Sequence, residues 1–565
     1  MNLSYWLNSA WMWVCRREAR AFHQATRAVA ETQAAVLQQI LAKNQHTEYG
    51  VANGFGRLRS PAEFQRRVPL STYDTYDEPI RHIAAGRPNV LTAERVQLLE
   101  PTSGTTGAQK LIPYTPMLRR QFQHAIAAWI ADLMQHRPAI RQGRAYWSIS
   151  PAFGAARRTD GGIPIGFDND TAYLGRSEQI ILNRLLAVPS SVARLPDIEN
   201  FRYCTLLHLL QADDLALISI WNPTFLAALL KPIEKWAGSI CSDLRQGSLS
   251  LPNPTRAELP VQLIPRHRSD IRRVNQLASI LTSWLPLAEK LKRIWPRLTL
   301  ISCWADSAAS RYVPELRELF AGVEIQPKGL LATEGCVSFP LVGRPGAVLA
   351  VRSHFFEFEE TGGGCNQDRP RELRLAHELE TGGKYRAVLT TGGGLYRYRL
   401  GDVVEVVGFE NQCPLLRFIG RMDRVTDLVG EKLGEPHVRE VLDYAFAAHG
   451  VAPRFALVVP VDEETRCYRL YVQGIDGGAT QSLVDSLAAS IQAGLEENPH
   501  YRHAIRLGQL AALQVHVLAG SGEPGWAVYE RECLARGQKP GDIKPTALDS
   551  WTGWPIRFAE AALCR

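Results

Sequence analysis

From residue 95 to residue 335, short apolar runs stop abruptly in small or polar residues, and helical stretches separate many of them. This pattern constrains the fold more than any other feature of the chain. Arg95 to Glu100 is a strand candidate that runs straight into a Gly/Thr-rich loop, and Met117 to Met134 follows as a helix. Ala145 to Ser150 and Leu215 to Trp221 read as strands ending in Pro-containing turns. Leu298 to Trp304 stops at Ala305-Asp306-Ser307, and Val323 to Leu331 stops at Ala332-Thr333-Glu334-Gly335. Helices between strands imply an α/β sheet, and open α/β sheets bind ligands at the carboxyl ends of their strands.

The flanks follow other rhythms. Residues 1–50 read as helical, with apolar residues at helical spacing between Ala21 and Leu41. Ala347–Ser353, Tyr385–Thr390 and Val403–Gly408 are closely spaced β-runs that predict a mostly antiparallel β-subdomain. Gly420 to Gly434 is charged and glycine-flanked and reads as a boundary. Beyond it, helices at His437–Ala447 and Gln481–Leu495 alternate with strands at Arg454–Pro460, Tyr468–Gln473 and Leu513–Leu518. A chain of 565 residues exceeds what one core supports. The expected fold is therefore α/β: a large N-terminal domain over 1–420 with mixed sheets, helices and a β-subdomain, and a small mobile α+β domain over 421–565, joined by a hinge.

Bulk properties exclude several classes. With 45% hydrophobic and 21% charged residues the composition is that of an ordinary globular protein. The +7 formal charge is a mild bias that suits anionic substrates, and no long Lys/Arg run marks a nucleic-acid face. The ten cysteines form no CxxC pair and lie at no zinc spacing, as expected of reduced thiols in a cytoplasmic enzyme. No apolar run reaches the roughly 18 residues of a membrane span. Leu3 to Cys15 is apolar and aromatic but lacks a basic lead-in, so it is expected to pack on the main body as an amphipathic helix, with peripheral membrane contact as the alternative.

Four runs could carry chemistry. Pro101-Thr102-Ser103-Gly104-Thr105-Thr106-Gly107-Ala108-Gln109-Lys110 offers hydroxyls, unhindered N–H groups and a cation to phosphate oxygens. Its glycines and Lys110 are three apart and Leu111 follows, so it is not a Walker A loop; a plain polar surface loop fits the same residues. Thr333-Glu334-Gly335 places a carboxylate at a strand end, where it could hold Mg²⁺ bridging phosphates, or simply form a turn. In Gly394-Leu395-Tyr396-Arg397-Tyr398-Arg399-Leu400-Gly401-Asp402 the aspartate could accept hydrogen bonds from a diol; the alternative is an exposed β-turn flanked by alternating Tyr and Arg. Gly420-Arg421-Met422-Asp423 with Gly430-Glu431-Lys432-Leu433 fits a hinge or a solvated linker.

In this order and spacing the runs resemble the adenylate-forming superfamily of acyl-CoA synthetases, peptide-synthetase adenylation domains and luciferases. More narrowly, the chain resembles the Gretchen Hagen family of acyl-acid amido synthetases over nearly its full length. Asn44 to Gly50, Val68 to Ile80, His354 to Phe358 and Gly394 to Val404 carry that likeness, with the phosphate loop running into Leu111-Ile112-Pro113-Tyr114-Thr115. The resemblance implies that Thr102, Ser103, Gly104, Thr105, Thr106 and Lys110 meet the phosphates of ATP, that Thr333 and Glu334 form the Mg²⁺ site, and that Tyr398 and Asp402 meet the ribose. It also implies that Arg421 approaches the nucleotide from the hinge and that Lys544 reaches the acyl phosphate. Where the superfamily stacks a Tyr on adenine this chain has Leu330, so the ring is expected from Phe355 or Phe356, unless both are core residues.

The implied reaction has two steps. A small carboxylic acid becomes an acyl-adenylate with loss of pyrophosphate, and an amine, expected to be an amino acid, then takes the acyl group. The rival acceptor is a thiol such as coenzyme A, or a hydroxyl. A reading of another class is a nucleotide-binding regulator without catalysis, against which Ser103, Glu334, Asp402 and Lys544 argue. Trp147, Trp221, Asn222 and Trp304, at strand ends near the loop, are the expected acid pocket, with plain core packing as the alternative.

Overall fold

The parallel strands Arg144–Trp147, Leu215–Ser219, Leu300–Cys303 and Glu324–Pro327 lie side by side in that order. The structure is a computed structural model and describes residues 3–102, 110–148, 157–166, 184–195, 197–255, 260–265, 270–361, 373–422, 424–463, 465–475, 480–519, 523–538 and 543–563. Every residue of Leu215–Ser219 and Leu300–Cys303 is buried. That is why these strands read as continuous apolar runs: helices cover a parallel sheet on both faces. One face packs with helices such as Ile198–Gln211 in a core of its own. Toward the other lies Pro116–His136, whose Trp129 side chain donates to Gln326 Oε1 (3.1 Å).

The 347–407 β-runs belong to a seven-stranded sheet. Its order is Leu373–Leu375, Phe355–Glu360, Lys384–Thr390, Tyr398–Glu410, Cys413–Arg421, Ala347–Leu349, Ser338–Pro340, and its pairs are antiparallel. Cys413–Arg421 is a strand that the sequence pattern did not announce. It carries Pro414, which pairs with Phe409, and its ladder to Tyr398–Glu410 shifts register twice, at Val403/Val404 and Val406/Gly408. The start of the expected hinge, Gly420-Arg421, is therefore the end of a sheet strand.

A smaller sheet holds the antiparallel pair Leu98–Pro101/Leu111–Tyr114. The N-terminal helix Leu3–Ala25 buries Trp11, Met12, Cys15 and Phe22 in the main core, as its amphipathic pattern predicts. Toward the C-terminus, Phe455–Val461, Cys467–Gln473 and Gln514–Val517 form a three-stranded sheet with Glu435–Ala448 and Gln481–Leu495 beside it. Among the described residues, the buried clusters before Phe418 and those after Asp427 share no member. The eight described cysteines are free and buried. No described helix is long and apolar enough to cross a membrane.

Candidate active site

Thr333 and Glu334 sit at the tip of a tight turn. Ala332 and Gly335 exchange backbone hydrogen bonds (3.1 and 3.2 Å), and Leu331 bridges Cys336. Tyr398 Oη lies 3.5 Å from Glu334 Oε1. Asp402, four residues along the same strand, is buried and pairs across the ladder with Arg421 (Nε–Oδ1 3.9 Å). Gly401, at φ +85°, makes the left-handed bend just before Asp402.

Burial holds the Glu334 carboxyl above the usual glutamate range. A hydrogen bond from its own backbone and the charges of Arg421 and Lys110 oppose this, while Asp402 adds to it. Glu334, Asp402, Arg421 and Lys110 therefore share one electrostatic neighbourhood: two carboxylates, a type of group that suits a hard cation or a diol, and two cations, which suit phosphate oxygens.

Thr102 N–H donates to Lys110 O (2.8 Å), and Lys110 Nζ stands 5.7 Å from the Tyr73 ring centroid. Thr102 Oγ1 is buried with no hydrogen-bond partner among the described residues. Ser103, Gly104, Thr105 and Thr106 lie outside the described residues.

The stretches that carry the family likeness meet behind this group. Tyr49 stacks on Tyr396 (4.9 Å between centroids), and Tyr76 Oη both accepts from Tyr396 N–H (2.8 Å) and donates to Tyr396 O (2.7 Å). Arg397, at φ +51°, is buried: it donates to Glu357 (2.8 and 2.9 Å), Gln65 O (2.7 Å) and Val68 O (2.6 Å). The alternating Tyr and Arg residues are thus no exposed turn.

His354 Nε2 accepts from Cys336 N–H (3.1 Å), so its Nδ1 carries the proton and donates to Gln121 Oε1 (3.1 Å). Burial lowers its pKa to about 3, which keeps the ring neutral. A Cβ on Gly335 would fall 2.8 Å from His354 Nε2, so the ring locks the Thr333-Glu334 turn from below.

Phe356 corrects an expectation. It is fully buried among core side chains, with His354 at 5.8 Å and Phe358 at 6.4 Å, and has no free face for adenine. Phe355 is buried against Phe64. Leu330 is also a core residue.

Beside the Glu334 turn, between the parallel sheet and Pro116–His136, lies a cavity of about 100 Å³. Trp147 and Trp221 line it, together with Trp129, Ser219, Ser302 and Lys328. Asn222 and Trp304 do not line it, because both face the C-terminal segment. Asn222 Nδ2 donates to Ile543 O (2.8 Å), and Lys544 Nζ stands 4.5 Å from the Trp304 ring centroid. Trp221 and Trp304 are 5.5 Å apart, which joins the cavity wall to the Lys544 dock. Sequence reasoning missed Lys328 because Val323 to Leu331 read as one apolar strand, whereas the strand ends at Pro327.

The GH3 family N-terminal domain matches residues 18–325, and the GH3 family central domain matches residues 347–421. The chain is 27% identical over 468 residues to the probable indole-3-acetic acid-amido synthetase GH3.12 of Oryza sativa subsp. japonica, covering 75% of this chain and 74% of that protein. It is 27% identical over 429 residues to the indole-3-acetic acid-amido synthetase GH3.15 of Arabidopsis thaliana, covering 72% and 70%. Its fold matches that of a solved GH3.15 acyl acid amido synthetase with a TM-score of 0.77, over 96% of each chain and at 20% identity. The order of motifs, the buried node that joins them and the matched domains together establish that this chain belongs to the GH3 family.

Proposed function

We propose that the chain is an ATP-dependent acyl-acid amido synthetase, which activates a small carboxylic acid as its acyl-adenylate and passes the acyl group to an amino acid. The observation that carries this reading is the meeting of Glu334, Tyr398, Asp402, Arg421 and Lys110 beside a small, largely aromatic cavity. One side has the chemistry to hold a nucleotide, the other the shape to hold the body of an acid. The names of its family relatives support the acid and amide parts of the reading.

In the first step a carboxylate oxygen of the acid attacks the α-phosphorus of ATP. The new oxygen–phosphorus bond replaces the one to pyrophosphate, which leaves. Thr102, Ser103, Gly104, Thr105, Thr106 and Lys110 hold the phosphates, and Asp402 accepts from the ribose hydroxyls. Arg421 and Lys544 bring positive charge to the oxygens where negative charge builds.

The buried Glu334 carboxylate beside Thr333 suits Mg²⁺, which takes one or two carboxylates plus phosphate oxygens. Bound there, the ion would neutralise phosphate charge. In the second step the amine nitrogen attacks the acyl carbonyl, the bond to AMP breaks and the amine loses a proton. No nucleophilic side chain is needed, because the adenylate is already activated.

The same reading treats 1–420 and 421–565 as two domains that reorient between the steps. The absence of shared buried clusters among the described residues supports it, as does the polar character of contacts such as Arg311–Asp443 (2.9 Å) and Lys384–Glu440 (2.6 Å). The free buried cysteines suit the reducing cytoplasm. Mass spectrometry of reactions holding ATP, Mg²⁺, a panel of carboxylic acids, mixed amino acids and coenzyme A tests the acceptor. The expected products are an acyl–amino acid amide and AMP; a coenzyme A thioester with no amide would overturn the amide assignment.

A further inference from the structure

Asn222 and Trp304 lie just past the ends of the adjacent parallel strands Leu215–Ser219 and Leu300–Cys303, and Trp304 N–H donates to Trp221 O (2.8 Å). Trp221 lines the cavity beside Glu334, but Asn222 and Trp304 turn to Ile543 and Lys544. Asn222 caps the helix Pro223–Leu230, and its Oδ1 accepts from Thr224 N–H (3.0 Å). With the amide oxygen committed to the cap, the amide N–H groups face the other way. There Nδ2 donates to Ile543 O (2.8 Å). Asn222 is buried, so it is Ile543 that satisfies this donor.

The segment is held from its other side as well. Ile543 is buried in one cluster with Tyr529 and Trp554, and Tyr529 Oη donates to Lys544 O (3.5 Å). Two successive carbonyls are thus gripped by opposite parts of the chain, one by the sheet end and one by the C-terminal cluster. The Lys544 ammonium stands 4.5 Å from the Trp304 ring centroid, within the range at which an indole face attracts a cation. A lysine stem is long and flexible, so placing its charge takes a contact at the tip as well as at the backbone. Trp304 provides the first and Asn222 the second.

We infer that Asn222 and Trp304 are positioning residues that dock Lys544 for the adenylation step, Asn222 through the Ile543 carbonyl and Trp304 through the ammonium. This rests on the roles given above to Lys544 and to the reorientation of 421–565. That reorientation breaks both contacts, so they speed the first step and leave the second alone.

Three substitutions in the full-length protein test it. Asn222→Ser keeps a helix cap but is too short to reach Ile543. Trp304→Leu removes the ring, and Trp304→Phe keeps a weaker one. Carboxylate-dependent pyrophosphate exchange should fall about three- to tenfold in Asn222→Ser and about tenfold in Trp304→Leu, with Trp304→Phe between Leu and the parent. The second step, started from chemically made acyl-adenylate and an amino acid, should stay within about twofold of the parent rate, and Trp304→Leu should cost nothing more in a Lys544→Ala background.

Unchanged exchange, an equal loss in both steps, or the same further loss in the Lys544→Ala background would overturn the inference. Docking is also read without any reaction, by acetylating the protein with an N-hydroxysuccinimide ester and following Lys544 by mass spectrometry. Lys544 should react at least about threefold faster in Trp304→Leu and Asn222→Ser than in the parent; equal rates would overturn the inference. If no acid supports exchange, the adenylation reading fails separately, and the labelling alone decides whether Asn222 and Trp304 hold Lys544.

Discussion

The proposed nucleotide side of the site is assembled from a few short stretches locked to one another, while the proposed acid side is assembled from single residues scattered along the chain. Glu334 sits on a turn held by His354, and Asp402 and Arg421 face each other across one ladder. Behind them Arg397, Glu357, Tyr76 and Tyr396 satisfy one another's polar groups. The cavity takes Trp147, Ser219, Ser302 and Lys328 from four neighbouring strand ends and Trp129 from a helix. A ligand that never changes can be held by a fixed, contiguous frame. A ligand that varies needs a wall in which one residue changes without disturbing the rest.

Four substitutions break or sharpen this contrast, taken from the largest effect to the smallest. Arg397→Ala leaves the buried Glu357 carboxylate without its partner and should cost about 3–5 kcal/mol of stability, read as a lower Tm and a lower urea midpoint. A variant as stable as the parent would show that the frame is not held there. Lys544→Ala should lower kcat for pyrophosphate exchange by about 10²–10³, the scale of losing one charge-stabilising donor, while acid binding to the cavity persists. Loss of acid binding instead would place Lys544 on the acid side.

Asp402→Asn should raise the KM for ATP by roughly tenfold to a hundredfold, the worth of a hydrogen bond to a charged group, with the KM for the acid little changed. Trp147→Phe is the mirror image: trimming an indole that lines the cavity should shift the acid KM a few-fold and leave ATP alone. If either variant moved both constants equally, the division into two sides would be wrong.

Glu334 adds a pH signature. Its raised pKa belongs to the metal-free protein and is therefore read in thermal stability rather than in the Mg²⁺-dependent exchange rate. The folded state binds that proton more tightly than the unfolded chain, so its contribution to stability is present at low pH and lost as pH rises. Glu334→Gln should therefore lose activity yet raise Tm at neutral pH, which thermal scans across pH would check. His354, held near a pKa of about 3, should add no limb between pH 5 and 8.

The same contrast governs what the sequence revealed. Glu334, Asp402 and Arg421 were singled out because each lies in a contiguous run that resembles a family motif, and the fold brings the three together. The parallel strands were legible because burial on both faces leaves unbroken apolar runs, as in Leu215–Ser219. Arg397 was misleading: beside Tyr396 and Tyr398 it suits an exposed strand, and its burial depends on Glu357, far away in sequence. Lys328 was invisible because its neighbours are Trp129, Ser219 and Trp221, which only the fold brings together. Asn222 and Trp304 were found as strand-end residues, but their partners Ile543 and Lys544 lie beyond the boundary at 420.

The central claim is that these two sides join an acid to the α-phosphate of ATP. Carboxylate-dependent exchange of labelled pyrophosphate into ATP tests it most directly. The account predicts exchange that requires a small carboxylic acid and Mg²⁺ and is lost in Asp402→Asn at low ATP. Pyrophosphate exchange that ignores the acid, or no exchange with any acid that binds the cavity, would contradict it.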